Sequence, residues 1–119
     1  AYNAEGYFAE TLDSLRGQTF VDWEALVVDD GSSDRTAEIA GEYSRLDSQG
    51  RIKVVRQANR GVAAARNRAI ELARGKYLAF LDADDIWAPD KLERQVGVLE
   101  ATGADMVYCQ AIYCDQFGK

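Results

Sequence analysis

The sequence ALVVDDG, at residues 25–31, sets four apolar residues directly before two aspartates and a glycine. A short apolar run that ends at a turn signal is typical of a strand buried inside a sheet. Gly31 permits the turn because a glycine adopts positive φ angles without steric cost. We therefore expect a strand over residues 25–28 that presents Asp29 and Asp30 just beyond its carboxyl end.

Helical and strand-like patterns alternate on both sides of this stretch. Apolar residues recur at helical spacing in four segments, and a glycine follows each segment as a helix stop. We expect helices over residues 4–16, 34–49, 61–74 and 89–102, and further strands over 52–55, 77–81 and 105–113. Ser33 or Asp34 is expected to cap the second helix, and Pro89 to take the first position of the last one. The alternation predicts a three-layer α/β/α, Rossmann-like domain with a mainly parallel sheet.

Length and composition indicate one globular domain over residues 1–119, with 47% apolar and 29% charged residues. No apolar run reaches the ~20 residues of a transmembrane helix. The two cysteines, Cys109 and Cys114, would lie on opposite faces of one strand, and we expect them to be buried and unpaired. Unpaired thiols indicate a reducing compartment, so we expect a cytoplasmic protein, with peripheral attachment to the inner membrane face as an option.

The charge balance excludes several classes of function. Fourteen basic and twenty acidic residues give a formal net charge of −6, which argues against nucleic-acid binding because that affinity rests on neutralised phosphates. The chain contains no histidine, which removes mechanisms built on a serine–histidine pair, a cysteine–histidine pair or a histidine-bound metal. Catalysis by these residues would need carboxylates, Lys, Arg, Tyr or an oxygen-bound metal.

A second acidic cluster, DADD at residues 82–85, follows the apolar strand expected over 77–81. The carboxyl ends of parallel strands meet at one edge of a sheet, so Asp30 and Asp84 are expected to share that edge. Clustered carboxylates repel one another, and a hard cation such as Mg²⁺ or Mn²⁺ with oxygen ligands relieves the repulsion. The alternative is that these acids, Asp85 above all, cap the helix that follows.

Two further side chains are candidates for ligand binding. Asp30 can accept a hydrogen bond from an amide or imide N–H of a ligand, although, taken alone, the stretch is better explained as a plain turn with a helix cap. Arg66 lies on a helix face of small apolar residues, where a charge needs a partner. It either pairs with one of the acids or approaches a nucleotide.

Four stretches together resemble the nucleotide-binding part of a GT-A glycosyltransferase of the large inverting family 2. They are AYNAE at 1–5, QTF through VDDGSSD at 18–34, NRG through ARN at 59–67, and GKY through LDADD and PD at 75–90. The stretches span nearly the whole chain in the family's order. The resemblance implies a glycosyltransferase that binds a nucleotide-diphospho-sugar at the strand ends.

The resemblance also implies roles for single residues. Tyr2 would stack on the nucleobase, and Asp30 would accept from an N–H of the base. In the Asp-x-Asp motif, Asp82 would lie by the ribose and the sugar, and Asp84 would bind the Mn²⁺ or Mg²⁺ that bridges the diphosphate. Arg66 is counted with the substrate-binding residues. An aromatic ring with an acceptor carboxylate suits uracil, so we favour a UDP-sugar.

The chain departs from the family pattern at both ends. Members open with an apolar strand that runs into the Tyr-Asn pair, and they continue past the position of Lys119 with the acceptor site and the general base. No residue here matches that base, so it is expected beyond Lys119, and the acceptor stays unknown. We expect an incomplete GT-A domain that binds donor at best on its own.

Two other functions remain open from the sequence. A non-catalytic module of the same fold would bind a nucleotide or a protein partner, and activity of a longer chain would separate it from an enzyme. Metal-assisted phosphoryl transfer on an aspartate would also use acids at strand ends. That reaction is disfavoured because no Lys follows at a strand end in the last third of the chain.

Overall fold

A computed structural model describes residues 1–114 of the chain. Its elements are α1 (Phe8–Arg16), β1 (Ala25–Asp29), α2 (Thr36–Leu46), β2 (Ile52–Arg56), α3 (Val62–Leu72) and α4 (Lys91–Thr102). The two strands pair in parallel, in a register that runs from Ala25 opposite Ile52 to Asp29 opposite Arg56. The predicted α/β class and the parallel pairing are confirmed.

Helices cover both faces of this sheet because β1 is apolar on both sides, with Ala25 and Val27 on one face and Leu26 and Val28 on the other. On one face, Val27 and Ile52 pack against Phe8 and Leu12 of α1 and Ala40 of α2. On the other face, α3 packs against β1 and its residue Ala65 is buried. The result is the expected three-layer arrangement, with the carboxyl ends of both strands at one edge.

The prediction of strands over residues 77–81 and 105–113 is wrong. The structure describes both segments, and neither forms a strand. Neither segment is paired, and Leu78 and Phe80 are more than half exposed, at 53% and 54%. The physical reason is that an apolar segment becomes a strand only beside a partner that completes its backbone hydrogen bonds. Here the described residues offer no such partner, and Tyr113 is likewise almost fully exposed.

On the side of β1 that faces away from β2, residues 1–114 provide a hydrogen-bonding partner only near the carboxyl end of the strand. The amino group of Ala1 donates to the Val28 carbonyl at 2.6 Å, and the Asp30 N–H donates to the Ala1 carbonyl at 2.8 Å. These two bonds are the pattern of a parallel ladder. The rest of that edge, around Leu26, faces a cavity whose other side is the 77–81 segment.

All four described helices begin later than the sequence predicts, by one to four residues. Helix α1 starts at Phe8 and not at Ala4, because the Ala4 carbonyl accepts from the Tyr7 N–H in a turn that precedes the helix. Helix α4 starts at Lys91, so Pro89 lies outside it. The Pro89 carbonyl accepts from the Thr19 N–H at 2.8 Å, which ties it to the end of α1 instead.

The cysteine prediction is half right. Cys109 and Cys114 are unpaired as expected, but both are exposed, because the segment that carries them is not packed in a sheet. Among the described helices, none has the length and apolar character to cross a bilayer.

Candidate functional site

One cavity of about 1560 Å³ collects every side chain to which the sequence analysis assigned a binding role. Tyr2, Asp30, Arg66, Asp82 and Asp84 all line it. The volume exceeds the ~300–1,000 Å³ of a typical ligand site because the same space extends along the open edge of β1. The part of interest lies at the carboxyl ends of the strands, where Asp30 and the 82–84 loop meet.

Asp30 sits at the end of β1 with its carboxylate held by the next loop. Its Oδ1 accepts from Gln57 Nε2 at 2.8 Å and from the Arg60 N–H at 2.9 Å, and its Oδ2 accepts from the Gly61 N–H at 2.9 Å. The Gln57 amide contributes most to a pKa of Asp30 below the ordinary value, followed by the Arg60 N–H. The ionised group has about four acceptor positions, so one on Oδ2 is not used by these bonds, and the residue is only 4% exposed.

Gly31 allows this loop to come close. Its φ is +77°, and a β-carbon there would lie 2.9 Å from the Asn59 backbone nitrogen. A side chain would push the loop away, and the loop carries the N–H groups that hold Asp30. The glycine predicted from the turn signal is therefore required for a close approach as well.

Arg66 projects from α3 to the acidic loop. Its Nη2 donates to Asp82 Oδ1 at 2.8 Å, and its guanidinium carbon lies 5.6 Å from the centre of the Phe80 ring. The sequence left open whether Arg66 pairs with an acid or approaches a nucleotide, and the structure shows the ion pair. Both side chains remain about half exposed, at 46% and 56%, so the pair can still be reached by a ligand.

The acidic loop concentrates negative charge. Burial raises the pKa of Asp85, and the charges of Asp82 and then Asp84 raise it further. Within residues 1–114, no three His, Cys, Asp or Glu side chains are grouped so as to enclose a metal ion. Mg²⁺ usually takes one or two carboxylates and fills the remaining positions with water and substrate phosphate, so Asp82 and Asp84 fit such an ion.

The sequence analysis assigned no role to two residues whose side chains hold parts of the site in place. Gln57 received no role, although it directly follows β2 and so lies at the same sheet edge as Asp30. Asn3 was noted only as part of a motif, yet its side chain accepts from the Ser33 N–H at 2.9 Å. The role of Gln57 could have been predicted, because the residue directly follows a strand. The contact of Asn3 with Ser33, 30 residues away, has no signature in the sequence.

A family model described as "Glycosyl transferase family 2" matches residues 1–119. Among curated proteins, the Escherichia coli UDP-Glc:alpha-D-GlcNAc-diphosphoundecaprenol beta-1,3-glucosyltransferase WfgD is 41% identical over 109 residues, which are 91% of this chain and 42% of that protein. The uncharacterized glycosyltransferase EpsJ of Bacillus subtilis is 42% identical over 108 residues, which are 91% of this chain and 31% of that protein.

Among solved structures, S. aureus TarS 1–349 in complex with UDP is similar to this chain, with a TM-score of 0.80 and 31% sequence identity over 88% of this chain and 31% of that one. The chain thus spans less than half the length of each of these relatives. The fold is that of a GT-A glycosyltransferase in part, and the family model covers every residue. The chain belongs to glycosyl transferase family 2.

Proposed function

We propose that this chain is the donor-binding part of a glycosyltransferase that moves a sugar from a nucleotide-diphospho-sugar to an acceptor. The observation that carries the proposal is the single cavity lined by Tyr2, Asp30, Arg66, Asp82 and Asp84. The similar TarS structure is in complex with UDP, and the name of the relative WfgD includes UDP-Glc. Both favour a UDP-sugar as the donor.

The base is proposed to bind between Tyr2 and Asp30. The ring of Tyr2 is 52% exposed at the cavity, which leaves an apolar face for stacking. Asp30 is ionised at neutral pH because its pKa is lowered, so it acts only as an acceptor. Its remaining acceptor position suits the N–H of neutral uracil, whereas a phosphate oxygen would be repelled.

Arg66 and Asp82 are proposed to act as a pair toward the ribose and the sugar. The hydrogen bond from Arg66 limits how the Asp82 carboxylate can turn, and the second carboxylate oxygen stays available for a hydroxyl group. The guanidinium has donors beyond the one used, and these can reach a nucleotide oxygen. The pair therefore offers both an acceptor and a donor to one ligand.

Asp84, with Asp82 beside it, is the proposed holder of a divalent cation, Mn²⁺ or Mg²⁺. The cation would neutralise negative charge on the departing nucleoside diphosphate. The chain's own contribution is a pair of exposed carboxylates at the cavity, in a protein whose net charge of −6 would otherwise repel a diphosphate. The general base of an inverting transfer and the acceptor site are proposed to lie beyond Lys119, and a cytoplasmic location remains a prediction.

The test is calorimetric titration of UDP with and without Mn²⁺. Wild-type chain is expected to bind UDP with Mn²⁺ and much more weakly without it. Asp84→Asn removes an anionic ligand and is expected to weaken Mn²⁺-dependent affinity at least about tenfold. Asp85→Asn is the matched control, one residue away, and is expected to have a smaller effect.

Equal UDP affinity for wild type and Asp84→Asn, with and without Mn²⁺, would refute the metal assignment. If the wild-type chain does not bind UDP at all, the proposal of a donor site is wrong. A longer form of the protein that binds UDP but transfers no sugar from any UDP-sugar would favour a non-catalytic module of the same fold.

A further inference from the structure

The residues from Tyr2 to Glu5, here called the Tyr2 turn, are fastened to the loop between β1 and α2. Five backbone N–H groups donate across this contact to a side chain on the other side, where Thr36 at the start of α2 also takes part. The bonds are Asn3 N to Ser32 Oγ at 3.0 Å, Ser33 N to Asn3 Oδ1 at 2.9 Å, Ala4 N to Thr36 Oγ1 at 2.8 Å, Glu5 N to Asp34 Oδ2 at 3.1 Å, and Arg35 N to Glu5 Oε2 at 3.1 Å. About 30 residues separate the partners in the sequence.

Asn3 is the centre of this contact and has an unusual backbone. Its φ is +46°, and among the described residues it is the only one other than glycine with a positive φ. Asparagine tolerates that conformation better than most residues, although at a cost in energy. The bonds to Ser32 and Ser33 offset that cost, and the bend they maintain leaves Tyr2 at the cavity while Ala4 leads into α1.

The loop on the other side of the contact is itself fixed. The Ser32 N–H donates to Asp29 Oδ2, and the Ser32 carbonyl accepts from Arg56 Nη2 at 2.7 Å. Arg56 Nε also pairs with Asp29 Oδ2 at 3.1 Å, and Asp29 is fully buried. The Tyr2 turn is thus held against a part of the sheet that cannot easily move.

We infer that Asn3, together with Ser32, is a positioning residue that holds the Tyr2 ring where it stacks on the base of the nucleotide. The inference rests on the proposed function, since it gives Asn3 a role only through Tyr2. A turn without these bonds would sample many positions and would have to be ordered when the nucleotide binds, which lowers affinity. The Asn3 side chain and N–H are engaged by Ser33 and Ser32, which is why its role is assigned to positioning.

The test is a double-mutant cycle on UDP affinity in the presence of Mn²⁺. Asn3→Gly keeps the positive φ and removes the side-chain acceptor, and it is expected to weaken UDP binding about two- to tenfold. Asn3→Asp retains an acceptor for the Ser33 N–H and is expected to restore most of the affinity. In a Tyr2→Ala background, Asn3→Gly is expected to cause little further loss, because its effect passes through the ring.

Pyrophosphate with Mn²⁺ is the second ligand, since it lacks a base and should bind wild type and Asn3→Gly equally. Equal losses for UDP and pyrophosphate, or additive losses in the cycle, would overturn the positioning role. If Asn3→Gly does not fold, Ser32→Ala removes the acceptor for the Asn3 N–H and takes its place in the cycle.

Two results separate this inference from the function on which it rests. If Tyr2→Ala weakens UDP binding and Asn3→Gly does not, the positioning role is wrong and the base site stands. If Tyr2→Ala leaves UDP affinity unchanged, stacking on Tyr2 is wrong and the role of Asn3 fails with it.

Discussion

At Gly31 the absence of a side chain lets two loops meet. The residue has a φ of +77°, and a β-carbon would approach the Asn59 nitrogen to 2.9 Å. Gly31→Ala is therefore expected to lower the free energy of unfolding by about 1–3 kcal/mol, through backbone strain and displacement of the 57–61 loop. Chemical denaturation measures the change.

The matched control is Gly97→Ala in α4, where a β-carbon meets nothing within 4 Å. This change is expected to raise the free energy of unfolding by about 0.5–1 kcal/mol, because alanine favours helix over glycine. If Gly31→Ala does not lower the free energy of unfolding relative to wild type and Gly97→Ala, the close approach at Gly31 does not limit the fold.

At the scale of elements, Gln18 joins the end of α1 to the start of α4. Its Nε2 donates to the carbonyls of Ser14 and Ala88, and its Oε1 accepts from the Leu92 N–H at 3.0 Å. The side chain is buried, so Gln18→Ala leaves these groups without partners and is expected to cost about 1–3 kcal/mol.

Thermal denaturation of Gln18→Ala beside the exposed Gln110→Ala tests this link between the helices. Gln110 lies outside every described helix and strand, so its truncation is expected to change stability by less than about 0.5 kcal/mol. Equal melting temperatures for the two variants would show that α4 is held by its apolar contacts and not by Gln18.

The connection between α2 and β2 predicts a dependence of stability on pH. The Asp47 carboxylate accepts from the backbone and side chain of Arg51, which itself stacks over Trp23 at 3.9 Å. The Arg51 guanidinium lowers the pKa of Asp47 from its ordinary value of 3.8. A lowered pKa in the folded state stabilises the fold above that ordinary value, and the contribution is lost as the pH falls through the lower folded value.

At neutral pH, Asp47→Asn removes the stabilisation that the ionised carboxylate supplies. In acid the wild-type carboxyl is itself protonated, so the substitution removes little. The gap in melting temperature between wild type and Asp47→Asn is therefore expected to narrow from about pH 7 to about pH 3. Glu38→Gln, which breaks the exposed pair with Arg35, is the control and is expected to give a smaller gap throughout. A gap for Asp47→Asn that is constant with pH would contradict the linkage.

At the scale of the whole molecule, we propose that the described residues supply the donor site and not the acceptor site. The cavity brings together Asp82 and Asp84, proposed for the sugar and the cation, and Asp30, proposed for the nucleobase. We expect residues 1–119 to bind UDP with Mn²⁺ and to transfer no sugar, apart from slow donor hydrolysis by water. A transfer assay against a longer form with an added strand before Ala1 and the downstream half measures the difference.

Comparable transfer rates for the short and long forms would contradict this expectation. One of the acids named above, with Asp85 as the first candidate, would then have to act as the base, and Asp85→Asn in the short chain tests it. An intact transfer rate in that variant would leave Asp82 and Asp84 as the other acids of the loop.

Local patterns in the sequence were sufficient for the features that depend on neighbouring residues. The ALVVDDG stretch predicts β1 and its turn, the helical spacing of apolar residues predicts four helices, and the two acidic clusters predict a shared site. Each rests on interactions within a few residues, namely backbone conformation, helical periodicity and the edge where strands end. These parts of the fold followed from the chain alone, whereas the roles of Asp30 and Asp84 stay predictions, and the strand expected before Asp82 is not formed.

The tertiary structure decided everything that depends on a partner far along the chain. Residues 77–81 have a strand-like sequence, but no described strand lies beside them to complete their hydrogen bonds. The clamp of Gln57 on Asp30, the pair of Arg66 with Asp82 and the contact of Asn3 with Ser32 join residues 16 to 29 positions apart. Backbone and side-chain hydrogen bonds act only at about 3 Å, so which distant groups meet is settled by packing and not by sequence spacing.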